Sequence, residues 1–329
     1  MQPSKTTFFL IIGLAILMVI GMVLVRPMLS APLNLPVEPQ TITIQVVVAP
    51  SIKPWVDQAA QNFNQANPKT PVEILTADGL TPTAQFTGQA TPPAAWLAGA
   101  SFVLGVNSDL SFTDPRSVAS TPLAWGAFNN RQQELTQKYG GLNWDALHRA
   151  AVEPNSDLKV VIASPQNSAE GLAALIAAAA GHLNKSTLSG ADASSAEAWL
   201  TETFKESSRT SLTLSKPAEA LATRGASVGD VGILSQASWR SAGLANRPDF
   251  TITPLQPAVS LDYPFAIYGS ATPEAQQAAA KFRDFLLAEA QQNTLADFFF
   301  DRVGANPNDV QVDAQAALSL LRWAERELR

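Results

Sequence analysis

An uncharged run from Phe8 to Val25, FFLIIGLAILMVIGMVLV, sets the first limit on what this chain can become. About eighteen apolar residues are close to the shortest helix that crosses the hydrocarbon of a bilayer. Lys5 and Arg26 bracket the run. A cleaved signal peptide would carry a shorter apolar core, about 7–15 residues, ending in small residues. Here only Ser30-Ala31 offers such a pair, between Leu29 and Pro32. The pattern therefore fits an uncleaved anchor over 1–26, a single-pass transmembrane helix with the rest of the chain outside the cytoplasm. Residues 27–40 hold Pro32, Pro36 and Pro39 and read as a semi-rigid stalk.

Composition then excludes whole classes of function. Beyond Arg26 the chain keeps 20 basic residues (22 less Lys5 and Arg26) against 28 acidic ones, a formal charge of −8. No basic cluster offers a face to nucleic acid. With no cysteine there is neither a disulfide nor a thiolate metal site, and lipidation at a mature N-terminal Cys is excluded. Two histidines, His148 and His182, are too few and too isolated for a triad or a His-rich metal centre. His148 falls within a predicted helix and His182 near a helix end, where a cationic imidazole is favoured. No G-x-S-x-G, H-E-x-x-H or Walker pattern occurs. The expectation is a non-enzyme without a cofactor.

The order of local patterns predicts an α/β fold. Thr41–Ala49 (TITIQVVVA) alternates and then turns continuously β-branched, as a buried strand does. After Pro50-Ser51, a helix carrying Trp55, Ala59 and Phe63 on one face runs to Asn67-Pro68. Val72–Leu75 is the next strand, and strand–helix–strand with short joints marks a parallel sheet. Trp96–Val106 reads as part helix and part strand, and Leu123–Phe128 as a strand. A helix over 143–151 starts at an Asn cap. The strand Leu158–Ala163 leads through SPQNSAEG into an Ala-rich helix, Leu172–Leu183, followed by another over Ala193–Phe204. Later come a strand at Asp230–Leu234, an amphipathic helix at Pro273–Ala290, an apolar segment at Leu295–Phe300 and a last helix at Asp313–Leu328.

These segments, in this order, resemble the extracellular solute-binding proteins of ABC importers, with the type II periplasmic binding protein fold. The likeness runs from about Ile42 to Pro307. It rests on TITIQVVVAPSIKPWVDQAAQNFNQANP, TPLAWGAF, LKVVIASPQNSAEGLAALIAA and the stretch from DYPFAIYGSATPEAQQAAAKFRDFLL to GANP. The resemblance implies two lobes joined by a two-strand hinge, lobe 1 being 41–122 with 255–329 and lobe 2 being 123–254. It implies a monomer that clamps a small solute and works with an ABC permease or another membrane partner.

Candidate ligand residues lie where strand ends meet helix starts. Ser164, Asn167 and Ser168 offer short polar side chains in one loop; the competing role is capping, with Glu170 closing a capping box on Asn167. Ser51 follows the first strand, Ser101 matches the family's next contact point, Thr121 stands at the hinge, Gln236 opens a second-lobe helix with Ser238 nearby, and Tyr263 lies in the return segment. Trp55, Trp96, Trp125, Trp144 and Trp239 offer stacking faces or core packing. Glu170 and the acidic balance disfavour an oxyanion and favour a neutral, zwitterionic or cationic solute. The alternative is a binding-protein fold turned into a membrane-tethered scaffold. Uncharged cleft loops and an ending, GANPND, that departs from the family's Arg-Pro pattern feed that reading.

Overall fold

The computed structural model describes residues 41–304 and 309–328. The anchor and stalk assigned to 1–40, and the Asn306-Pro307 break, lie outside the described residues. Among the described residues no helix is long and apolar enough to cross a membrane.

Lobe 1 grows from its first strand–helix–strand unit. β1 (Ile44–Val48) is almost wholly buried, as its β-branched run requires. α1 (Lys53–Ala66) opens with Pro54 in its first turn and buries Trp55, Val56, Ala59, Ala60 and Phe63, the helical stripe expected from the spacing. β2 (Val72–Thr76) and β3 (Ala95–Leu97) both pair parallel to β1, with Ile44 opposite Val72 and Val46 opposite Ala95. α2 (Ser101–Val106) and the edge strand β4 (Phe112–Ser117) follow. The chain then crosses into lobe 2 along β5 (Thr121–Phe128).

In lobe 2, α3 (Asn129–Tyr139) leads to α4 (Trp144–Ala151), whose Asn143 cap accepts from the Ala146 N–H at 2.9 Å. β6 (Val160–Ile162) precedes α5 (Ala169–Leu183). Every α5 residue from Gly171 to Ala180 is buried, so this Ala/Leu helix is enclosed on all sides, as an all-round apolar helix must be. β7 (Thr187–Leu188), α6 (Gly190–Phe204), β8 (Val231–Ser235), α7 (Gln236–Ser241) and β9 (Phe250–Pro254) complete it. β5 pairs antiparallel with β8 and β9, while β6 pairs parallel with β8.

The return passes through β10 (Ser260–Leu261), paired with Thr121 and Pro122 of β5, into β11 (Pro264–Tyr268). β11 slots antiparallel between β3 and β4, giving lobe 1 the order β2-β1-β3-β11-β4. α8 (Pro273–Leu287) packs on α1, β1 and β11 through Ala278, Ala279, Phe282 and Leu286. The apolar segment at Leu295 is a 3-10 turn, Leu295–Phe298. Finally β12 (Gln311–Val312) pairs with β7, and α9 (Ala314–Glu327), capped by Asp313, packs on α6, α5 and α2. A helix read as part of lobe 1 thus touches both lobes, because its apolar stripe (Ala316, Ala317, Leu320, Leu321, Trp323, Ala324) has more surface to cover than α2 alone offers.

Candidate functional site: the interlobe cleft

The lobes meet where the loops after β1 and β3 face the start of α5. The contact is close: a Cβ placed on Gly99 would lie 2.6 Å from the Ala169 Cβ and 3.9 Å from the Ala49 Cβ. Only a residue without a side chain allows that approach at position 99. Asn167 leans toward the loop after β2, its Oδ1 3.9 Å from where a Gly79 Cβ would stand.

On the lobe 1 side, Tyr263 is fully buried at the end of the return crossing. Its hydroxyl lies 3.0 Å from Ser51 Oγ, so these two candidates form one unit. Burial, with the Glu170 and Asp262 carboxylates as lesser contributors, raises the Tyr263 phenol well above its ordinary range; the Ser51 hydrogen bond only partly opposes this. The phenol is therefore neutral at any physiological pH. Next to it, Asp262 accepts from the Ser101 N–H at 2.7 Å, from Ser101 Oγ at 2.5 Å and from Ser117 Oγ at 2.8 Å. A carboxylate thus takes the first N–H of α2, at the end where helix geometry leaves N–H groups open.

The lobe 2 side repeats the device. Glu170 accepts from the Ser235 N–H at 2.7 Å and from Ser238 Oγ at 2.6 Å. Ser235 Oγ accepts from the Ser238 N–H at 3.1 Å, and the buried Thr121 Oγ1 accepts from the Ala237 N–H at 3.1 Å. At the start of α7 the N–H groups of Ser235, Ala237 and Ser238 are thus all taken by the chain itself. Ser168 caps α5, accepting from the N–H groups of Glu170 at 3.1 Å and Gly171 at 3.4 Å. Glu170 closes no capping box on Asn167; it reaches across to α7 because two donors converge there. Among the described residues neither Glu170 nor Asp262 has a Lys or Arg in ion-pair range.

Of the remaining candidates, Ser164 accepts from Asn167 Nδ2 at 3.3 Å, keeping both in the cleft loop. Gln236 turns along its own helix and accepts from Arg240 Nη2 at 3.0 Å. The five tryptophans are all core: Trp55 donates to Thr294, Trp144 to the Gln256 carbonyl and Trp239 to the Ala124 carbonyl, while Trp96 and Trp125 are buried among aromatic neighbours. His148 and His182 both stack on Trp199, with centroids 5.1 and 4.7 Å away. Sequence reasoning missed Asp262, Ser117, Ser235 and Gly99. Asp262 had one usable signal, a charge lodged between two buried apolar strands beside Tyr263.

Comparison with known proteins agrees with this architecture. Residues 44–301 match the model of the bacterial extracellular solute-binding protein family, and the chain belongs to that family. Iron-bound HitA from Pseudomonas aeruginosa is similar in structure, with a TM-score of 0.62 at 13% identity over 87% of this chain and 97% of that one. The periplasmic binding protein AfuA from Actinobacillus pleuropneumoniae, with fructose-6-phosphate bound, gives 0.60 at 15% over 86% and 97%. The sulfate-binding protein SubI from Mycobacterium tuberculosis H37Rv gives 0.57 at 14% over 88% and 99%. At these identities the likeness is one of fold. No curated protein sequence matches the chain.

Proposed function

We propose that this chain is a membrane-tethered, extracytoplasmic receptor that takes a neutral, zwitterionic or cationic small solute between its lobes and delivers it to an ABC permease or a sensing partner. One observation carries the solute class. At the starts of α2 and α7, Asp262 and Glu170 each already accept from a backbone N–H and a serine hydroxyl, and among the described residues no Lys or Arg stands against either carboxylate. An incoming oxyanion would meet two negative groups in a partly desolvated cleft, where like charges repel far more strongly than in water. An amine or a polyhydroxyl compound would instead find carboxylate and hydroxyl acceptors at Asp262, Glu170, Ser51 and Ser168. The similar structures with iron, sulfate and a sugar phosphate show that one fold serves several chemistries, so the site has to decide. Ser51, Ser101, Thr121, Ser164, Asn167, Ser168 and Tyr263 are the contact residues of this reading; Gln236 belongs to it only after releasing Arg240. The Phe8–Val25 run supplies the tether. No catalytic step is part of the reading.

A thermal-shift panel on the full chain tests it, with sugars, amino acids, polyamines, peptides and oxyanions. A solute that binds only the folded state at 100 times its dissociation constant adds about 2.7 kcal/mol. Stabilisation by one neutral or cationic class is the expected result; stabilisation by sulfate or phosphate overturns the charge argument. The Gly99–Ala169 contact favours a second reading, a scaffold whose lobes rest closed with no solute. A folded, solute-free chain that responds to nothing in the panel would support it.

A further inference from the structure

The family match ends at residue 301, and α9 lies beyond it. This helix is fastened to lobe 2 along its length. β12 just before it pairs with β7, and the Gln315 Cβ would lie 3.2 Å from a Cβ on Gly190. Trp323, buried in the helix middle, donates to Thr201 Oγ1 at 3.2 Å. At its far end Gln166 Nε2 donates to the carbonyls of Ala324 at 3.1 Å and Leu328 at 3.2 Å. The Ala324 carbonyl already accepts the Leu328 N–H at 2.9 Å, so Gln166 shares it, and a loop side chain that reaches the helix end in this way fixes loop and helix together. Gln166 sits in the Ser164–Ser168 cleft loop itself.

The near end of α9 meets lobe 1. Ala314 lies against Gly105 of α2, where an added Cβ would be 3.0 Å from the Ala314 Cβ and 3.5 Å from its Cα. α2 in turn starts at Ser101, held by Asp262 in the cleft. With α9 carried on lobe 2, any separation of the lobes must therefore peel α2 from α9.

We propose that α9 is a latch: carried on lobe 2, where Gln166 also ties it to the cleft loop, and seated on α2 of lobe 1, it holds the two lobes together, and access to the cleft requires its release from α2. A packed interface of this kind has discrete seated and unseated states rather than a continuous range. The proposal rests on the two-lobed reading but on no particular solute, so its test is run without one.

The chain has no cysteine, so Gln58→Cys on α1 and Gln133→Cys on α3, both exposed, would be the only thiols for a dye pair reporting the distance between lobes. Single-molecule energy transfer in the full chain should show one dominant closed population. Gly105→Leu and Ala314→Leu, each of which wedges α2 from α9, should each raise the open-to-closed ratio roughly tenfold, the scale on which overpacking a close contact acts. Closed histograms identical to the parent in both variants, each shown to unfold cooperatively, would overturn the latch. Should Gly105→Leu fail to fold, an unchanged histogram for Ala314→Leu overturns it alone.

Discussion

Replacing Asp262 by alanine probes the device on which the cleft reading turns. The substitution removes an acceptor from the Ser101 N–H at 2.7 Å, from Ser101 Oγ at 2.5 Å and from Ser117 Oγ at 2.8 Å. Hydrogen bonds to a charged group are worth about 1.5–3 kcal/mol each when fully buried. Asp262 is only half-buried, and the two serine hydroxyls can turn to water, so their loss is cheap. The backbone N–H is the costly orphan, equivalent to losing a helix cap at about 1 kcal/mol. The sum is about 1–2 kcal/mol. With a urea slope of about 3 kcal/mol/M, the midpoint should fall by roughly 0.3–0.7 M with the slope unchanged. Asp262→Asn keeps the shape and one acceptor and should lose less than half as much. Urea unfolding followed by circular dichroism of the full chain reads both. A midpoint for the alanine variant within about 0.2 M of the parent, the scale of the fitting error, would refute the claim that Asp262 holds the start of α2.

Three further outcomes follow from the geometry. Gly171→Ala would put a Cβ 2.3 Å from the Ala163 carbonyl oxygen and 2.7 Å from the Pro165 nitrogen, all backbone that cannot yield cheaply. It should cost at least about 1–3 kcal/mol, visible as a lower melting temperature, and an unchanged one would contradict the α5–loop packing. Gly99→Val meets Ala169 and should keep the secondary structure while increasing the radius of gyration in small-angle scattering; an unaltered radius would mean the lobes do not touch there. His182 is held below its ordinary pKa chiefly by burial and secondarily by His148, which stacks on the same Trp199 side chain. The unfolded chain therefore binds a proton that the folded chain refuses, so stability is full above about pH 6.5 and declines as pH falls through that value. Calorimetry should find a smaller drop toward pH 5.5 in His182→Gln than in the parent, with His148 and the nearby Glu202 intact; equal drops would dismiss His182 as the source.

How much of this could be read from residues alone follows the range of the interactions. β1, α1 and β2 were legible because a β-branched run, a Pro-initiated helix with its stripe, and an Asn-Pro stop are all local signals. The Asn143 cap was legible for the same reason. The insertion of β11 between β3 and β4 was not, since five buried residues in PFAIY do not say which neighbours bury them. α9 showed its amphipathic face but not that the face serves both lobes. Glu170 is the sharpest case. Three residues after Asn167 and two after Ser168 it fits a capping box, yet its carboxylate goes to Ser235 and Ser238, more than sixty residues away in the chain. Local pattern names the residue; only the tertiary fold supplies its partner.

The most direct test of the account is native mass spectrometry of the full chain released gently from the cells that make it, with no solute added. The account predicts a bound small molecule of neutral or net positive charge, lost when Ser51 and Asp262 are both replaced by alanine in a chain that still folds. A bound oxyanion retained by that double variant would contradict it, because the donors assigned to Asp262 would then be serving the ligand instead.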